Sequence, residues 1–177
     1  MNLASFKEEL FTSKSMKVKY GIWLIVSNYF FLTNLPFPSS FKVFILKCFG
    51  AKIGNRVVIK PFVKIKFPWL LSIQNDVWLG EGVWIDNLTN VSIGSNVCIS
   101  QNSTLLTGNH NYKKETFDLI KQPITIEDEV WVGANCFITN GVTLQKKSVI
   151  LVSSTVSQTT DENSIYKGNP AVKVKNR

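Results

Sequence analysis

An apolar residue recurs at every sixth position through most of this chain. The longest unbroken series has six members, which are Ile126, Val132, Ile138, Leu144, Ile150 and Val156. An α-helix repeats after about 3.6 residues and a β-strand after about 2, so neither produces this period. A parallel β-helix of triangular cross-section does, because each flat face takes one short strand and turns one apolar side chain inward. The period therefore predicts an all-β solenoid.

The same period runs through the earlier part of the chain. Its members there are Ile53, Ile59, Ile65, Ile73, Leu79, Ile85, Val91, Ile93, Ile99 and Leu105. The spacing widens to eight residues between positions 65 and 73 and between 85 and 93, which predicts two-residue insertions at two corners. Residues of modest size stand four positions after the first five members of the longest series: Val130, Cys136, Val142, Ser148 and Ser154. A small side chain suits a tight corner, where a bulky one would clash.

The period breaks between Leu105 and Ile126, which are 21 residues apart. That distance is not a multiple of six, and the intervening segment 108–123 is polar and charged. A loop of roughly fifteen residues must therefore leave the solenoid there, and a loop of that length in a compact repeat is more often functional than decorative. The only histidine of the chain, His110, stands at the base of this loop.

The chain divides into three sections. Residues 1–50 form an apolar and basic helical segment, residues 51–160 form the solenoid, and residues 161–177 form a polar, basic tail. Two helices are predicted in the first section, over Lys17–Leu32 and from a Ser39/Ser40 cap to Phe49. The tail contains the turn sequence Gly168-Asn169-Pro170-Ala171.

Positive charge is concentrated in the N-terminal third. Residues 1–66 hold eleven Lys or Arg against two acidic residues, whereas residues 67–177 hold nine against ten, within a net charge of +8. Together with the apolar segment Gly21–Phe37, this asymmetry predicts that residues 1–50 contact the inner face of the plasma membrane peripherally. Polar residues interrupt that segment short of the roughly 20 apolar residues that span a bilayer. Packing of its aromatic residues on the first coil and between subunits is the open alternative.

The composition argues against several classes of protein. Only two of the twenty basic residues are Arg, and no nucleic-acid-recognition motif is present, so no nucleic-acid partner is expected. The three cysteines are widely spaced and form no CxxC motif, so reduced thiols and a cytoplasmic location are expected. The first twenty residues contain acidic residues and no cleavable apolar core, so no secretory signal is expected.

The chemistry available to the chain centres on His110. A zinc site needs three or four ligands, and the chain has no second histidine and no cysteine cluster, so neither a metal nor a β-helix carbonic anhydrase is expected. No nucleophile-elbow sequence supports a Ser-His-Asp triad. A lone histidine at the mouth of a loop fits a general base, because imidazole titrates near neutral pH and can accept a proton from a hydroxyl. A loop histidine that only forms hydrogen bonds is the alternative.

Several motifs, taken with the six-residue period, resemble one enzyme family. The motifs are Thr107-Gly108-Asn109-His110, the run Pro123–Ala134, and Gly168-Asn169-Pro170-Ala171. With them the chain resembles the left-handed β-helix (hexapeptide-repeat) acetyltransferases. Two further segments, together with the basic and apolar N-terminus, resemble the colanic-acid-type sugar O-acetyltransferases of that family. The segments are Ile85–Leu88 and Val97–Gln101. The resemblance covers about residues 15–175.

This resemblance implies a left-handed solenoid that assembles as a homotrimer and binds acetyl-coenzyme A (acetyl-CoA) in the groove between neighbours. It implies that His110 is the general base, that the acceptor hydroxyl attacks the thioester directly, and that no metal takes part. It also implies a set of acetyl-CoA contacts: Trp131 as a wall of the groove, Ala134 and Val152 through their backbone, Ser157 and Gln158 near the nucleotide, and Lys173 and Lys175 toward the phosphates. The family often has a lysine where this chain has Gln158.

The acceptor side is predicted from coil geometry. With about 18 residues per coil and a two-residue insertion, Asp86, Asn87 and Asn90 lie about one turn below Thr107–His110. Their polar side chains are expected to bind sugar hydroxyls, unless they only occupy corners, where turns favour Asn and Asp.

The resemblance thus implies an acetyl-CoA-dependent O-acetyltransferase that acts on a carbohydrate acceptor, at a sugar hydroxyl, in exopolysaccharide or surface-polysaccharide biosynthesis. An amino-sugar N-acetyltransferase and a serine O-acetyltransferase are alternatives on the same fold. A non-catalytic structural β-helix is the alternative from a different class. It would show ladders of identical outward residues and no long loop, whereas this chain has varied outward positions and a loop that carries His110.

Overall fold

The structure, a computed structural model, describes residues 13–177. It begins with two α-helices, α1 (Lys14–Phe30) and α2 (Ser39–Cys48). The hydroxyl of Ser13 accepts a hydrogen bond from the Met16 N–H at 3.3 Å and so caps the first turn of α1. Both helices lie in the section predicted to be helical, although α1 begins three residues earlier and ends two residues earlier than predicted. Over residues 13–177, no helix is both long and apolar enough to cross a membrane.

The predicted serine cap of α2 is wrong. Pro38 takes the N-cap position, and no side chain caps the helix. Ser39 is the first helical residue, and its hydroxyl accepts a hydrogen bond from the Ile59 N–H at 3.0 Å. The hydroxyl therefore joins α2 to the first coil of the solenoid.

Nineteen short strands follow in the described part of the chain. In order they are β1 (Lys52–Ile53), β2 (Val58–Ile59), β3 (Lys64–Ile65), β4 (Leu71–Ile73), β5 (Trp78–Leu79), β6 (Trp84–Asp86), β7 (Val91–Ile93), β8 (Cys98–Ile99), β9 (Thr104–Leu106), β10 (Gly108–His110), β11 (Leu119–Lys121), β12 (Ile124–Ile126), β13 (Trp131–Val132), β14 (Phe137–Ile138), β15 (Thr143–Leu144), β16 (Val149–Ile150), β17 (Thr155–Val156), β18 (Ser164–Gly168) and β19 (Ala171–Asn176). A 3-10 turn, Pro68–Leu70, lies between β3 and β4.

Three sheets form the faces of a parallel solenoid of about six turns. Face A contains β1, β4, β7, β12 and β15, and face C contains β3, β6, β9, β14 and β17. Face B contains β2, β5, β8, β13 and β16, and it is extended by β18 and β19. Each complete turn passes through faces A, B and C in that order. This architecture confirms the predicted all-β solenoid.

The register of face A shows where extra residues enter the coils. Ile53 pairs with Ile73 and Ile73 pairs with Ile93, so these coils are 20 residues long. Farther along, Ile126 pairs with Leu144, which gives a coil of 18 residues. The early coils hold their two extra residues at the corner between faces C and A. The predicted insertions are therefore confirmed.

The six-residue period forms the core. All its members between residues 53 and 156 are at most 7% exposed. The small corner residues are buried as well, including Cys136, Ser148 and Ser154. Burial raises the pKa of the Cys136 thiol, and its Sγ donates to the carbonyl oxygen of Leu151 at 3.1 Å. Cys136 is thus a packing residue of the corner.

Adjacent coils approach each other closely at two glycines. A Cβ on Gly133 would lie 2.8 Å from the carbonyl oxygen of Ile150 and 2.8 Å from the amide nitrogen of Val152. A Cβ on Gly80 would lie 2.6 Å from the amide nitrogen of Gln101. Because these are backbone atoms of the next coil, they cannot move aside as the end of a flexible side chain can.

The two helices pack on the first coil of the solenoid. Trp23 is 1% exposed, and its indole N–H donates to the carbonyl oxygen of Ile65 at 2.8 Å. Its ring lies 5.4 Å from that of Phe31, centroid to centroid. The ammonium of Lys42 donates to the carbonyl oxygen of Ile59 at 3.4 Å, and burial lowers the pKa of this lysine. These contacts cover the first coil and satisfy polar groups that would otherwise lie at the end of the solenoid.

The predicted C-terminal tail is instead a β-hairpin. Strand β18 pairs in parallel with β16 and in antiparallel fashion with β19. The turn lies at Gly168–Ala171, where the sequence predicts it. The alternation of apolar and polar residues over Ala171–Asn176 is a strand signal that the prediction overlooked. The hairpin covers the edge that β16 would expose, which explains why a polar segment forms a sheet.

Candidate functional site

The break in the six-residue period is a β-hairpin at the corner between faces C and A. Strands β10 and β11 pair in antiparallel fashion, with His110 opposite Leu119. The Gln122 N–H donates to the Thr107 carbonyl oxygen at 3.0 Å and closes the base of the hairpin. This hairpin occupies the segment 108–123, which is predicted to be a loop, and it is more regular than expected because its two arms pair with each other.

Hydrogen bonding orients the ring of His110. Its Nδ1 lies 2.9 Å from the backbone carbonyl oxygen of Phe117. Since a carbonyl oxygen can only accept, Nδ1 carries the proton, and in the neutral ring Nε2 holds a lone pair. The rings of His110 and Phe117 stack, with centroids 4.2 Å apart and an angle of 4° between their planes. In this tautomer Nε2 is the basic nitrogen of the ring, as a general base requires.

Phe117 is a positioning residue that sequence reasoning missed. It adopts a left-handed φ of 51°, and its N–H donates to the Lys114 carbonyl oxygen at 3.2 Å. The Lys114 ammonium also lies 2.8 Å from the Asp118 carboxylate, so the tip of the hairpin is held by local contacts. The available signal was a phenylalanine within an otherwise polar segment. That signal could not show that the carbonyl group of Phe117 meets the histidine.

The root of the hairpin packs on the corner insertion of the preceding coil. The hydroxyl of Thr107 accepts hydrogen bonds from the Leu88 N–H at 2.7 Å and the Thr89 N–H at 3.3 Å. It donates to the Asp86 carbonyl oxygen at 3.0 Å. The insertion therefore lies directly against the start of the histidine-bearing arm, at the position that coil geometry predicts.

Two of the three predicted acceptor residues present their side chains at this corner. Oδ1 of Asp86 lies 3.1 Å from Nζ of Lys66, within ion-pair distance, but among residues 13–177 this buried oxygen accepts no hydrogen bond of good geometry. Asn90 is exposed, and its carbonyl oxygen accepts from the Ile124 N–H at 3.2 Å. Lys66, which the sequence did not single out, adds a cation here.

Asn87 has a different role from the predicted one. Its side chain is 0% exposed. Its Oδ1 accepts from the Phe67 N–H at 3.0 Å, and its Nδ2 donates to the Phe67 carbonyl oxygen at 2.7 Å. The side-chain amide therefore substitutes for backbone pairing between two corner insertions. It is not available to bind an acceptor sugar.

Three of the predicted acetyl-CoA residues lie near the corner between faces B and C. Trp131 stands outward on β13, is 49% exposed, and donates from its indole N–H to the hydroxyl of Ser100 at 3.0 Å. Ala134 follows at the corner, and its carbonyl oxygen accepts from the Ser153 N–H at 2.9 Å. Val152, in the next coil, is 59% exposed. This corner is a different one from the corner that bears the hairpin.

The remaining predicted residues lie elsewhere. Ser157 and Gln158 are exposed and follow β17, so they lie at the corner between faces C and A, the same corner as the hairpin. Lys173 and Lys175 lie on β19 at the end of face B. The Lys173 ammonium lies 2.9 Å from the carboxylate of Asp161. One chain thus distributes the predicted site over two corners and the C-terminal hairpin.

The side chains of residues 13–177 that could bind a metal ion are scattered. Within the part of the chain that the structure describes, no three of its His, Cys, Asp and Glu residues come together as a metal site would require.

Two curated relatives cover most of the chain. WcaF of Escherichia coli (strain K12), assigned as a colanic acid biosynthesis acetyltransferase, is 34% identical over 160 residues, which are 90% of this chain and 88% of WcaF. The galactoside O-acetyltransferase of Escherichia coli (strain K12) is 30% identical over 129 residues, which are 71% of this chain and 64% of that enzyme. No protein-family model matches the chain.

The fold is also found in solved structures. The hexapeptide-repeat acetyltransferase VCA0836 of Vibrio cholerae O1 biovar eltor, complexed with acetyl-CoA, superposes with a TM-score of 0.83 at 22% identity, over 93% of this chain and 90% of that one. This similarity establishes the fold, and the identity and coverage shared with WcaF establish the family. The chain belongs to the hexapeptide-repeat acetyltransferases, and its solenoid is the left-handed parallel β-helix of that family.

Proposed function

We propose that this acetyltransferase moves the acetyl group of acetyl-CoA to a sugar hydroxyl during the synthesis of an exopolysaccharide or other surface polysaccharide. The observation that carries the proposal is the hydrogen bond between Nδ1 of His110 and the carbonyl oxygen of Phe117, which makes Nε2 the basic nitrogen of the neutral ring. The names of two relatives, in colanic acid biosynthesis and galactoside O-acetylation, support a sugar as the acceptor.

In the proposed reaction, Nε2 of His110 accepts the proton of the acceptor hydroxyl as its oxygen attacks the thioester carbonyl carbon. The tetrahedral intermediate then collapses, the carbon–sulfur bond breaks, and the thiolate of CoA takes the proton from the imidazolium. The sugar ester and CoA thiol are the products, and the histidine returns to its neutral form. Phe117 acts as a positioning residue, because its carbonyl group holds the ring in the tautomer that the first step needs.

Acetyl-CoA is the proposed donor substrate, bound along the exposed corner residues. The half-exposed indole of Trp131 is suited to pack against the pantetheine arm, and Ala134 and Val152 supply neighbouring backbone groups. Ser157 and Gln158 are proposed near the nucleotide. Lys173 and Lys175 would attract its phosphates; Lys173 already pairs with Asp161, whereas Lys175 is exposed and makes no ion pair within residues 13–177.

The acceptor is proposed to bind at the corner beside the hairpin root. Asp86 and Asn90 lie on the corner insertion that packs against Thr107, the residue directly before the strand β10 that carries His110. A carboxylate that retains acceptor capacity and an exposed amide are the groups that bind sugar hydroxyls. The pair between Asp86 and Lys66 would hold the carboxylate in place.

A homotrimer and a cytoplasmic location are part of the proposal. The histidine hairpin and the Trp131 corner lie at different corners of one chain, so a neighbour that places its Trp131 corner beside the hairpin would complete the site. Closed threefold symmetry provides such a contact three times. Light scattering on the purified protein tests it, and an active monomer would contradict it.

The proposed reaction is tested by incubating the purified protein with acetyl-CoA and a panel of neutral sugars, amino sugars and serine. Release of free thiol gives the rate, and mass spectrometry of the products shows which acceptor gained one acetyl group. Alkaline hydroxylamine cleaves an ester and leaves an amide, so it separates O-acetyl from N-acetyl products. We expect an ester on a sugar. Acetylation confined to amino groups or to serine would overturn the proposal.

A further inference from the structure

Helix α1 is apolar on two opposite sides. The inner side carries Trp23 and packs on the solenoid. The outer side carries Val18, Ile22, Ile25 and Tyr29, which are 63%, 52%, 74% and 62% exposed. These four positions follow the spacing i, i+4, i+7, i+11, which aligns them in one stripe along a helix. At these exposures, the stripe is a surface that the solenoid does not cover.

The stripe continues onto α2 through a chain of aromatic rings. The ring of Tyr29 lies 6.3 Å from that of Phe37, and the ring of Phe37 lies 5.9 Å from that of Phe41, centroid to centroid. One turn later, Phe44 is 61% exposed. We call these residues the helical apolar face: Val18, Ile22, Ile25, Tyr29, Phe37, Phe41 and Phe44.

The charged residues of α1 and α2 are all basic. Residues 14–48 contain five Lys and no Asp or Glu. Lys14 and Lys17 on α1 and Lys47 on α2 are exposed beside the apolar residues. An apolar face with lysines around it complements an anionic lipid surface, where ring and aliphatic side chains enter the headgroup boundary and lysines meet phosphates. A second copy docked symmetrically on the same face would place lysines against lysines, which costs free energy.

We propose that the helical apolar face docks on an anionic phospholipid bilayer and holds the solenoid at the membrane surface without crossing it. The face extends over two short helices. Over residues 13–177 no helix is long and apolar enough to span a bilayer. This surface lies on the two N-terminal helices and includes none of the residues of the proposed reaction, so it extends beyond that reaction and does not depend on it. Packing on the first coil explains why Trp23 is apolar, whereas membrane docking explains why the exposed outer residues are apolar.

The test is sedimentation of the full-length protein with vesicles of phosphatidylcholine alone and of equal parts phosphatidylcholine and phosphatidylglycerol. We expect binding to the anionic vesicles that weakens as salt is added, and little binding to the neutral ones. Since each lysine near the surface contributes about fivefold in affinity, Lys14→Gln with Lys17→Gln should weaken anionic binding roughly 25-fold. Ile22→Ser with Ile25→Ser should weaken it about tenfold or more, because two exposed apolar side chains no longer enter the lipid boundary.

A matched control and a measurement of assembly complete the test. Val172 and Val174 are exposed apolar residues on β19, 61% and 55% exposed, and their double replacement by serine should leave vesicle binding unchanged. Circular dichroism verifies that each variant is folded. The proposal is overturned if the wild type does not bind anionic vesicles at low salt, or if the isoleucine variant binds equally well. It is also overturned if the isoleucine variant has a smaller mass by light scattering, because the face is then a subunit contact. Acetyl transfer is assayed without vesicles, so failure of the proposed reaction leaves this result interpretable.

Discussion

Replacing Asn87 with alanine should destabilise the solenoid without removing an acceptor contact. The variant deletes two hydrogen bonds to the backbone of Phe67, at 3.0 and 2.7 Å. The Phe67 carbonyl oxygen still accepts from the Leu70 N–H at 3.0 Å, so the main loss falls on the Phe67 N–H. Phe67 is only 3% exposed, so water cannot fully replace the lost bonds. The Phe67 N–H, a buried donor that loses this partner, costs about 1–3 kcal/mol. For a chain of this length, that corresponds to a decrease in Tm of roughly 2–12 °C.

The assay is thermal unfolding at one fixed protein concentration, because the proposed trimer would make Tm depend on concentration. The KM of the acceptor sugar is measured below the transition of the variant. Asn90→Ala is the matched control: its exposed side chain should cost less than about 0.5 kcal/mol of stability, while the KM for acceptor rises. An Asn87→Ala variant with an unchanged Tm and a raised KM would refute the structural role assigned to Asn87.

Three further outcomes are expected. Gly133→Ala should lower the free energy of unfolding by about 1–3 kcal/mol, measured in urea, because its Cβ would meet backbone atoms of the next coil at 2.8 Å. Trp131→Ala should raise the KM for acetyl-CoA roughly tenfold with little change in Tm, and a KM within twofold of wild type would exclude the indole from the groove. Cys48, which is exposed, should react first with iodoacetamide. Cys98 and Cys136 should react slowly and faster as pH rises, because burial raises the pKa of both thiols and lowers their thiolate fraction. Peptide mass spectrometry over time measures the order.

The period of six predicts the solenoid because it reports a repeated local geometry. One inward residue per face and one small residue per corner are enough to specify the parallel stacking, and all the apolar members are buried as expected. The hairpin position follows from the same arithmetic, since a break in register must be accommodated outside the coils. The C-terminal hairpin was missed because its strands form only by covering the edge of β16, and a short alternating segment does not indicate that edge.

The candidate site could be predicted only in part. The position of His110 follows from the break in the period, but its tautomer depends on a carbonyl group seven residues away in a folded hairpin. Asn87 and Asn90 are alike in the sequence, and only burial separates the residue that closes a corner from the one that faces solvent. Lys66 lies one coil below Asp86, so their pairing requires the 20-residue register of the early coils.

The central claim is that His110 transfers the proton from a sugar hydroxyl to the CoA thiolate. The most direct test is the turnover number of His110→Ala with the sugar identified in the acceptor panel, measured by product mass so that thioester hydrolysis is not counted. A positioned general base contributes about 10²–10⁴-fold, so kcat should fall by that factor, while calorimetry shows unchanged binding of acetyl-CoA and Tm is retained. A variant that keeps more than about a tenth of the wild-type turnover number would contradict the account, because a general base contributes at least about 10²-fold.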